Sequence, residues 1–520
     1  MKATLFQIVF FIYYSLWSQF GNPQLHKIDV LNYDFKININ NDTDSIKSAA
    51  AINILALDNI SSFYLDLANK GINVKKVMIN SRIIPFHHAS DKILMDFSAR
   101  KGDSIHVQIE YEGIPADGLI ISNNKYGKKS FFGDNWPNRA HFWLPVIDHL
   151  SDKALVSFTI LAPSEMDVIA SGKRISRIRK GKKTEWFYKT SVPLPPKVMV
   201  FGATGFNIKN YGIYHDIPVS GWIYEDSPVK GLDDYLVSLE ALKFYDSLIG
   251  PYSFSKLANV QSKTRFGGME NAGNIFYYEN SVDGKGRVEN LVAHEVAHQW
   301  FGNSVTEKEW KDIWLSEGFA TYLTDLFLEH KYGKEKLKER MKMERDKIIR
   351  YHNRPRNSIV YNEKNNLMKL LNPNSYEKGA WVLHMLRKKI GDEKFFKLLK
   401  NFYKNYQNKN ASTSDFISMA EEISHQNLHD FFNQWLFQEG IPVLEIKEEK
   451  TKKKLHLHIR QTGGNYQLNL PVRIITEKGE KNILLNLSKK EESFELPLSN
   501  TQNYQLIIDP DIEVLYKQLK

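Results

Sequence analysis

Apolar residues recur at every second position over much of the first 213 residues of the chain. Residues 33–39 read Tyr-Asp-Phe-Lys-Ile-Asn-Ile, and the same alternation returns over 105–111 and 156–160. A period of two places apolar side chains on one face of a β-sheet. Turn-like stretches such as 115–118 separate these runs, and no long helical pattern intervenes. The sequence therefore predicts a β-rich N-terminal domain.

The period of the apolar positions changes after about residue 225. Residues 236–249 carry a helical stripe of Leu and Phe side chains, which Asp233 or Asp234 is expected to cap and Gly250-Pro251 to end. Helical patterns continue to about residue 440, and alternation returns beyond it. The fold class that we predict is multidomain α+β, with segments at 1–24 (signal peptide), 25–212 (β-rich), 213–440 (mainly helical) and 441–520 (β-rich).

The first 24 residues have the order of parts found in a secretory signal. Lys2 precedes an apolar run over residues 3–17, and small residues follow before Asn22 and Pro23. We therefore expect an exported protein, periplasmic or secreted, with no stable membrane insertion after cleavage. An uncleaved N-terminal anchor is the other interpretation, because about 18 apolar residues nearly span a bilayer.

Composition narrows the chemistry that the chain can carry. The 520 residues are 42% hydrophobic and include no cysteine. The apolar content excludes a disordered chain, and the lack of cysteine excludes disulfide frameworks, thiolate zinc sites and cysteine nucleophiles. Any metal site must use His, Asp or Glu.

The net charge of +10 raises the question of an anionic partner. Its densest contribution is the stretch 173–183, which has the pattern of an exposed β-hairpin. No basic helix or aromatic RNA-binding motif accompanies the charge, so we predict no nucleic-acid partner.

A candidate metal site lies in the helical part of the chain. His294 and His298 are four residues apart, so a helix places both imidazoles on one face, with Glu295 beside them. A second apolar helix is expected to reach about Tyr332, and Glu317 near its start can supply a third ligand. Two imidazoles, one carboxylate and one open position form the catalytic zinc arrangement, so we predict one Zn²⁺ per chain. We expect four other histidines to be solvated rather than bound to a metal: His87, His88, His456 and His458.

Several motifs occur together in a familiar order. Residues 267–271 (Gly-Gly-Met-Glu-Asn) precede the His-Glu-x-x-His motif, and Trp-Leu-Ser-Glu-Gly-Phe-Ala (314–320) and Tyr-Glu-Lys-Gly (376–379) follow it. This combination resembles the M1 family of zinc aminopeptidases, the gluzincins that include aminopeptidase N and leukotriene A4 hydrolase. The resemblance implies an N-terminal β-saddle, a thermolysin-like catalytic domain and a C-terminal β-sandwich. The sequence resembles a short form without the large C-terminal helical domain of many relatives, for which we expect a more open cleft.

The resemblance also implies roles for individual residues. Glu295 would be the general base and Tyr376 the group that stabilises the oxyanion, held in place by Ser375 as a helix cap. The substrate would bind along Gly267, Gly268, Met269, Glu270 and Asn271, with Glu270 pairing with its free ammonium group. Asp325 has two interpretations, a carboxylate that orients a ligand imidazole or an exposed helix residue.

One position departs from the family pattern. Relatives usually place a Gln or Glu of the β-saddle beside the substrate ammonium, and Trp136 stands at that position here. Two alternatives remain open: Trp136 stacks on the cation or narrows the first pocket, and Asn135 takes over as the second anchor.

The implied function is a zinc aminopeptidase acting on peptides with a free N-terminus. Two alternatives remain: an endopeptidase or epoxide hydrolase that uses the same zinc, and a non-catalytic scaffold of the M1 type. The presence of all three ligands, the base and the tyrosine disfavours the scaffold.

Overall fold

A computed structural model describes residues 23–354, 356–363, 365–451, 454–477, 479–498 and 503–519. The predicted signal peptide, apart from residues 23 and 24, lies outside these ranges. Within them, no helix is both long enough and apolar enough to cross a bilayer.

The N-terminal region is built from strands, as the alternation predicts. Three sheets form here, in the orders β13-β14-β11-β1-β2-β8-β4-β5, β12-β15-β10-β9 and β3-β7-β6. The strands are β1 (Ile28–Asn38), β2 (Ile46–Ala56), β3 (Ile60–Asp66), β4 (Ile72–Ile79), β5 (Arg82–Ile83), β6 (His87–Ala89), β7 (Lys92–Ala99), β8 (Ser104–Gly113), β9 (Leu119–Asn123), β10 (Lys129–Gly133), β11 (Leu155–Pro163), β12 (Asp167–Ala170), β13 (Lys173–Lys180), β14 (Lys183–Lys189) and β15 (Phe201–Thr204).

The alternating residues form the core of the largest sheet. Phe35 on β1 lies opposite Ala50 on β2 and Phe158 on β11, and the two phenyl rings are 5.5 Å apart. All three side chains are buried, which confirms the predicted inward face. The basic stretch 173–183 lies in the predicted exposed hairpin, where β13 is the edge strand. His87 and His88 lie in the short strand β6.

A mainly helical region follows, around a small five-stranded sheet with the order β16-β17-β18-β20-β19. Its strands are β16 (Phe206–Tyr214), β17 (Ile217–Tyr224), β18 (Leu257–Ser262), β19 (Gly268–Met269) and β20 (Asn274–Tyr278), and β21 (Thr306–Glu307) pairs with β22 (Asn410–Ala411). The helices are α1 (Val237–Leu248), α2 (Glu289–Ala297), α3 (Trp314–Tyr332), α4 (Lys334–Tyr351), α5 (Gly379–Ile390), α6 (Asp392–Tyr406), α7 (Thr413–Ser424) and α8 (His429–Phe432).

The predicted start of the first helix is wrong. A 3₁₀ helix over Val229–Tyr235 precedes α1, and Leu236 is 43% exposed instead of part of the buried stripe. The Asp234 carboxylate accepts hydrogen bonds from the backbone N–H groups of Asp283, Gly284 and Gly286. This long-range loop contact uses the carboxylate that the sequence pattern assigned to a helix cap.

Strands return at the C-terminal end, in two sheets with the orders β27-β24-β23-β29 and β26-β25-β28. Alternating residues of β24 and β25, among them Leu457 and Leu470, are buried between the polar positions. The strands are β23 (Val443–Lys450), β24 (Lys454–Gln461), β25 (Leu468–Thr476), β26 (Gly479–Leu487), β27 (Glu491–Pro497), β28 (Tyr504–Ile508) and β29 (Lys517–Leu519).

Two lysines connect the N-terminal region to the helical region. The Lys153 ammonium donates to the carbonyl oxygens of Asn303, Ser304 and Lys409 at 2.7–3.1 Å. Lys197, in the 3₁₀ helix Pro196–Val198, lies 2.6 Å from the Glu307 carboxylate, and both side chains are at most 1% exposed. These polar contacts fix the N-terminal region against the elements that carry the site.

The Lys197–Glu307 pair leads to a prediction about stability. Lys197→Met leaves the Glu307 carboxylate buried without a countercharge, which costs about 3–5 kcal/mol of folding free energy. The double variant Lys197→Met/Glu307→Leu should recover most of that loss, because it removes both charges. Urea unfolding of the three proteins measures the difference; a double variant no more stable than the single one would contradict this account.

Candidate metal centre and substrate cavity

Two packed helices bring the three predicted ligands together. His294 lies on α2, His298 follows its last residue, and Glu317 lies in the first turn of α3. The Nε2 atoms of the two histidines are 3.0 Å apart, and Glu317 Oε2 is 3.5 Å from Nε2 of His294 and 3.2 Å from that of His298. Of the described residues, only these three form a group of His, Asp and Glu side chains that could hold a metal ion.

The distances between the three candidate ligand atoms are close to those that a zinc ion requires. Tetrahedral ligands at about 2.0–2.1 Å from an ion lie about 3.3 Å from one another, close to the three distances observed here. The charges of the group also suit a cation. Burial lowers the pKa of His298, but the Glu317 carboxylate outweighs that effect, and the pKa is raised to about 9. A divalent cation would displace that proton, because only the neutral imidazole is a ligand.

The ring of His298 is also held through its second nitrogen, Nδ1. Its Nδ1 lies 3.2 Å from the Phe301 carbonyl and 3.1 Å from the Ser316 hydroxyl. Gly302 lies against this ring with a φ of +124°, and a Cβ there would come within 2.9 Å of Nδ1. These neighbours orient the ring so that Nε2 faces the other two donors.

Glu295 lies on helix α2, and its side chain faces the edge strand β19. The side chain is buried, and a Cβ at Gly268 would overlap its carboxylate, so a larger residue there would force the carboxylate to move. Burial raises the pKa of Glu295; the positive charge of His298 opposes that shift, and the carboxylates of Glu270 and Glu317 add to it. The arrangement places a buried carboxyl group of increased basicity beside the donor set.

Tyr376 reaches the site through an unusually close contact of two helices. The Cα of Gly379 is 2.9 Å from where a Cβ of Gly318 would be, so the backbones of α5 and α3 touch. Tyr376 lies in the π-helix Asn374–Lys378, and its ring is 6.0 Å from that of His294 and nearly parallel to it. Burial raises the pKa of this phenol well above 10, with further contributions from nearby carboxylates, so it stays protonated.

Ser375 does not have the predicted capping role. Its hydroxyl donates to the carbonyl oxygen of Leu370, and the residue that precedes helix α5 is Lys378. The π-helix Asn374–Lys378 continues directly into α5, so backbone hydrogen bonds already occupy the N–H groups at the start of α5. Ser375 therefore has no N-terminal N–H group of α5 to cap.

Glu270 follows the edge strand, with its carboxyl group unpaired. Gln299 and Asn303 donate to its backbone carbonyl at 2.9 and 2.5 Å, which fixes the chain at this point. The side-chain atom Oε1 is buried and has no hydrogen-bond partner among the described residues, and the same holds for both polar atoms of the Asn271 side chain. A buried carboxylate without a partner is available for a ligand.

The turn that follows β10 contributes Trp136 to the same cavity, which has a volume of about 250 Å³. The cavity also contains residues 267–270, the three metal-binding candidates, Glu295 and Tyr376. Asn135 cannot act as the second amine anchor: its amide donates to the carbonyls of Pro196 and Met199 and accepts from Trp143. Sequence analysis missed the apolar wall residues Phe266, Leu291 and Leu371, which belong to no polar motif.

Asp325 is fully buried, so the interpretation as an exposed helix residue is wrong. Its Oδ1 accepts a hydrogen bond from Arg340 at 2.7 Å. The nearby Glu344 carboxylate also contacts Arg340. The role of orienting an imidazole stays a prediction.

Comparison with known proteins agrees with this geometry. Residues 236–435, which carry the ligands, Glu295, Glu270 and Tyr376, match the model of the Peptidase family M1 domain. The chain carries a peptidase family M1 domain. This M1 domain begins one residue before α1 and ends within the second π-helix, Asn433–Phe437.

Curated relatives extend the similarity beyond the M1 domain. The chain is 26% identical over 451 residues to "Glutamyl aminopeptidase" of Rattus norvegicus, covering 80% of this chain and 47% of the relative. It is 27% identical over 455 residues to "Probable aminopeptidase 2" of Sulfurisphaera tokodaii, covering 83% and 57%. It is 24% identical over 443 residues to "Leucyl aminopeptidase" of Saccharolobus solfataricus, covering 81% and 55%. The chain thus spans about half the length of these relatives.

Proposed function

We propose that this protein is a zinc aminopeptidase that removes N-terminal residues from peptides. The observation that carries the proposal is the convergence of His294, His298 and Glu317 in one cavity with the buried carboxyl groups of Glu295 and Glu270. The M1 domain match and three relatives named as aminopeptidases support it. The proposed architecture is a β-saddle (25–212), a thermolysin-like catalytic domain (213–440) and a β-sandwich (441–520).

His294, His298 and Glu317 would hold one zinc ion per chain. When bound, zinc polarises the substrate carbonyl as a Lewis acid and lowers the pKa of a water molecule to about 7. The chain's own residues then have to move protons, stabilise negative charge and position the peptide.

Glu295 would take the proton from the attacking water and pass it to the leaving amine. Glu295 is buried in the same cavity as the three proposed ligands, where its carboxylate can accept that proton. The contact with Gly268 holds that carboxylate next to the edge strand along which the peptide backbone would lie.

Tyr376 would donate a hydrogen bond to the oxygen that gains negative charge when the peptide carbonyl is attacked. The donor must carry its proton at the working pH, and the raised pKa of the phenol ensures that it does. Fixed donors of this kind act mainly on the transition state.

Glu270 would distinguish an aminopeptidase from an endopeptidase. Its unpaired carboxylate pairs with the ammonium of a free N-terminus, and a blocked amine leaves that carboxylate buried and uncompensated.

The test uses leucyl-fluorogenic substrates with free and N-acetylated amines. Wild-type protein should turn over only the free form efficiently. Glu270→Gln should lower kcat/KM for the free substrate by about 10–100-fold, the value of a charge-assisted hydrogen bond.

Glu309→Gln serves as the control, because this glutamate is 34% exposed and does not line the cavity. Equal turnover of free and acetylated peptides by the wild type would favour the endopeptidase alternative. No turnover of any peptide by zinc-loaded protein would favour the scaffold.

We propose, separately, that residues 1–24 direct export. The basic residue followed by an apolar run supports this. Mass spectrometry of the protein from cell fractions decides it: a chain that begins near residue 25 in the soluble exported fraction is expected, whereas intact chains in the membrane pellet would support the anchor.

A further inference from the structure

The residues that line the cavity bear on which N-terminal side chain of a substrate the site would accept. Trp136, Phe266, Met269 and Leu371 line it, and no Lys or Arg is among the described lining residues. The acidic groups of the cavity are the ones already assigned to the metal, the proton transfer and the ammonium. This inference rests on the proposed aminopeptidase function and concerns the side chain of the N-terminal residue.

Trp136 is a buried part of this wall. It is 2% exposed, and its ring packs edge-on against Phe266 at 5.8 Å and against Trp310 at 5.7 Å. The indole Nε1 has no hydrogen-bond partner in the described part of the chain. The side chain is thus held by packing alone, with one face of its aromatic cluster open to the cavity.

The backbone that carries Trp136 is fixed on both sides. Asn135 is tied to the carbonyls of Pro196 and Met199, and the Arg139 guanidinium donates to the Trp136 carbonyl at 2.8 Å. Arg139 in turn contacts the buried Asp134 at 3.1 Å. A wall residue on a rigid loop can select among ligands, because it does not move aside for a poorly fitting one.

We propose that Trp136 is a specificity-determining residue of this enzyme: with Phe266, Met269 and Leu371 it accepts an uncharged apolar N-terminal side chain and rejects a charged one. An acidic side chain suffers most, because it loses its hydration, meets no Lys or Arg among the described lining residues and lies close to Glu270, Glu295 and Glu317. The glutamyl aminopeptidases among the relatives are named for the opposite preference.

The first experiment compares wild-type kcat/KM across Ala, Leu, Met, Phe, Lys and Glu aminoacyl-coumarin substrates. We expect the best apolar substrate to exceed the Glu substrate by at least about 100-fold, since an unpaired buried charge costs several kcal/mol. Calorimetric titration with free L-leucine and L-glutamate gives a readout that does not depend on turnover, and leucine should bind more tightly.

The second experiment tests Trp136 itself. Trp136→Ala removes the wall and should raise the ratio of kcat/KM for Phe over Ala substrates by about 10-fold or more, within the range of a reshaped apolar pocket. Trp136→Phe should shift the same ratio less and keeps an aromatic core if the alanine variant fails to fold. Trp310→Phe is the matched control: it belongs to the same aromatic cluster but does not line the cavity, so the ratio should not change.

The outcomes separate the two levels of the proposal. Wild-type protein that cleaves none of the substrates overturns the proposed function. Wild-type protein that cleaves the Glu substrate as well as the Leu substrate overturns only the inference about specificity. If the Trp136 variants change kcat/KM by the same factor for every substrate, Trp136 contributes to stability alone and its role in selection is overturned. The Trp310 control would behave in this way if the aromatic cluster were purely structural.

Discussion

Glu295→Gln is expected to lower kcat by about 10²–10⁴-fold, the usual contribution of a positioned general base. The amide has the size of the carboxylate but cannot accept the proton of the attacking water. Because Glu295 is not among the three grouped donors, the variant should still bind one zinc per chain. Steady-state kinetics and metal analysis on the same sample measure both quantities.

Glu289→Gln is the control for this variant. Glu289 begins the same helix, α2, but does not line the substrate cavity, so its variant should keep wild-type kcat. Glu295→Gln protein with full activity would exclude Glu295 as the base, and a loss of zinc in that variant would assign it to the metal site instead.

Removal of the third ligand should have the second large effect. Glu317→Gln replaces the only carboxylate of the donor set, so zinc content should fall below one per chain. The kcat/KM for a leucyl substrate should fall by about 10³-fold or more, since the metal contributes several kcal/mol to the transition state and each 1.36 kcal/mol is tenfold in rate. Wild-type protein treated with a chelator should lose activity similarly and regain it when zinc is added.

Glu339→Gln, an exposed position on helix α4, should change neither zinc content nor rate. A Glu317→Gln variant with a full zinc complement and normal kinetics would contradict the ligand set proposed here. Activity of the wild-type protein that survives complete removal of metal would exclude a zinc mechanism altogether.

Local sequence patterns predicted the features that depend on spacing along the chain. The spacing of His294 and His298 places both rings on one side of a helical turn whatever the rest of the fold, and alternation around Phe35 identifies the inner face of its sheet. The second apolar helix supplied Glu317 as the third candidate ligand, and family resemblance added Glu270 and Tyr376; the structure brings all three into one cavity.

Contacts between distant segments could not be predicted in this way. Lys197 and Glu307 are 110 positions apart and carry no local signal of pairing, and Asp234 was assigned to a helix cap although its partners lie about 50 residues away. The prediction for Asn135 failed for the same reason, since its partners Pro196 and Met199 lie 61 and 64 positions away. The prediction for Ser375 failed for a local reason, because its hydroxyl binds the carbonyl of Leu370, five positions earlier. The apolar wall that includes Leu371 has no motif at all.

Trp136 comes from the strand-rich N-terminal part of the chain, whereas Phe266, Met269 and Leu371, the metal-binding candidates and Glu295 come from the helical part. One determinant of the proposed substrate selection is therefore encoded apart from the residues proposed to cleave the peptide bond. Exchange of the loop that carries Trp136 would then change which peptides are trimmed and leave the residues proposed for hydrolysis as they are.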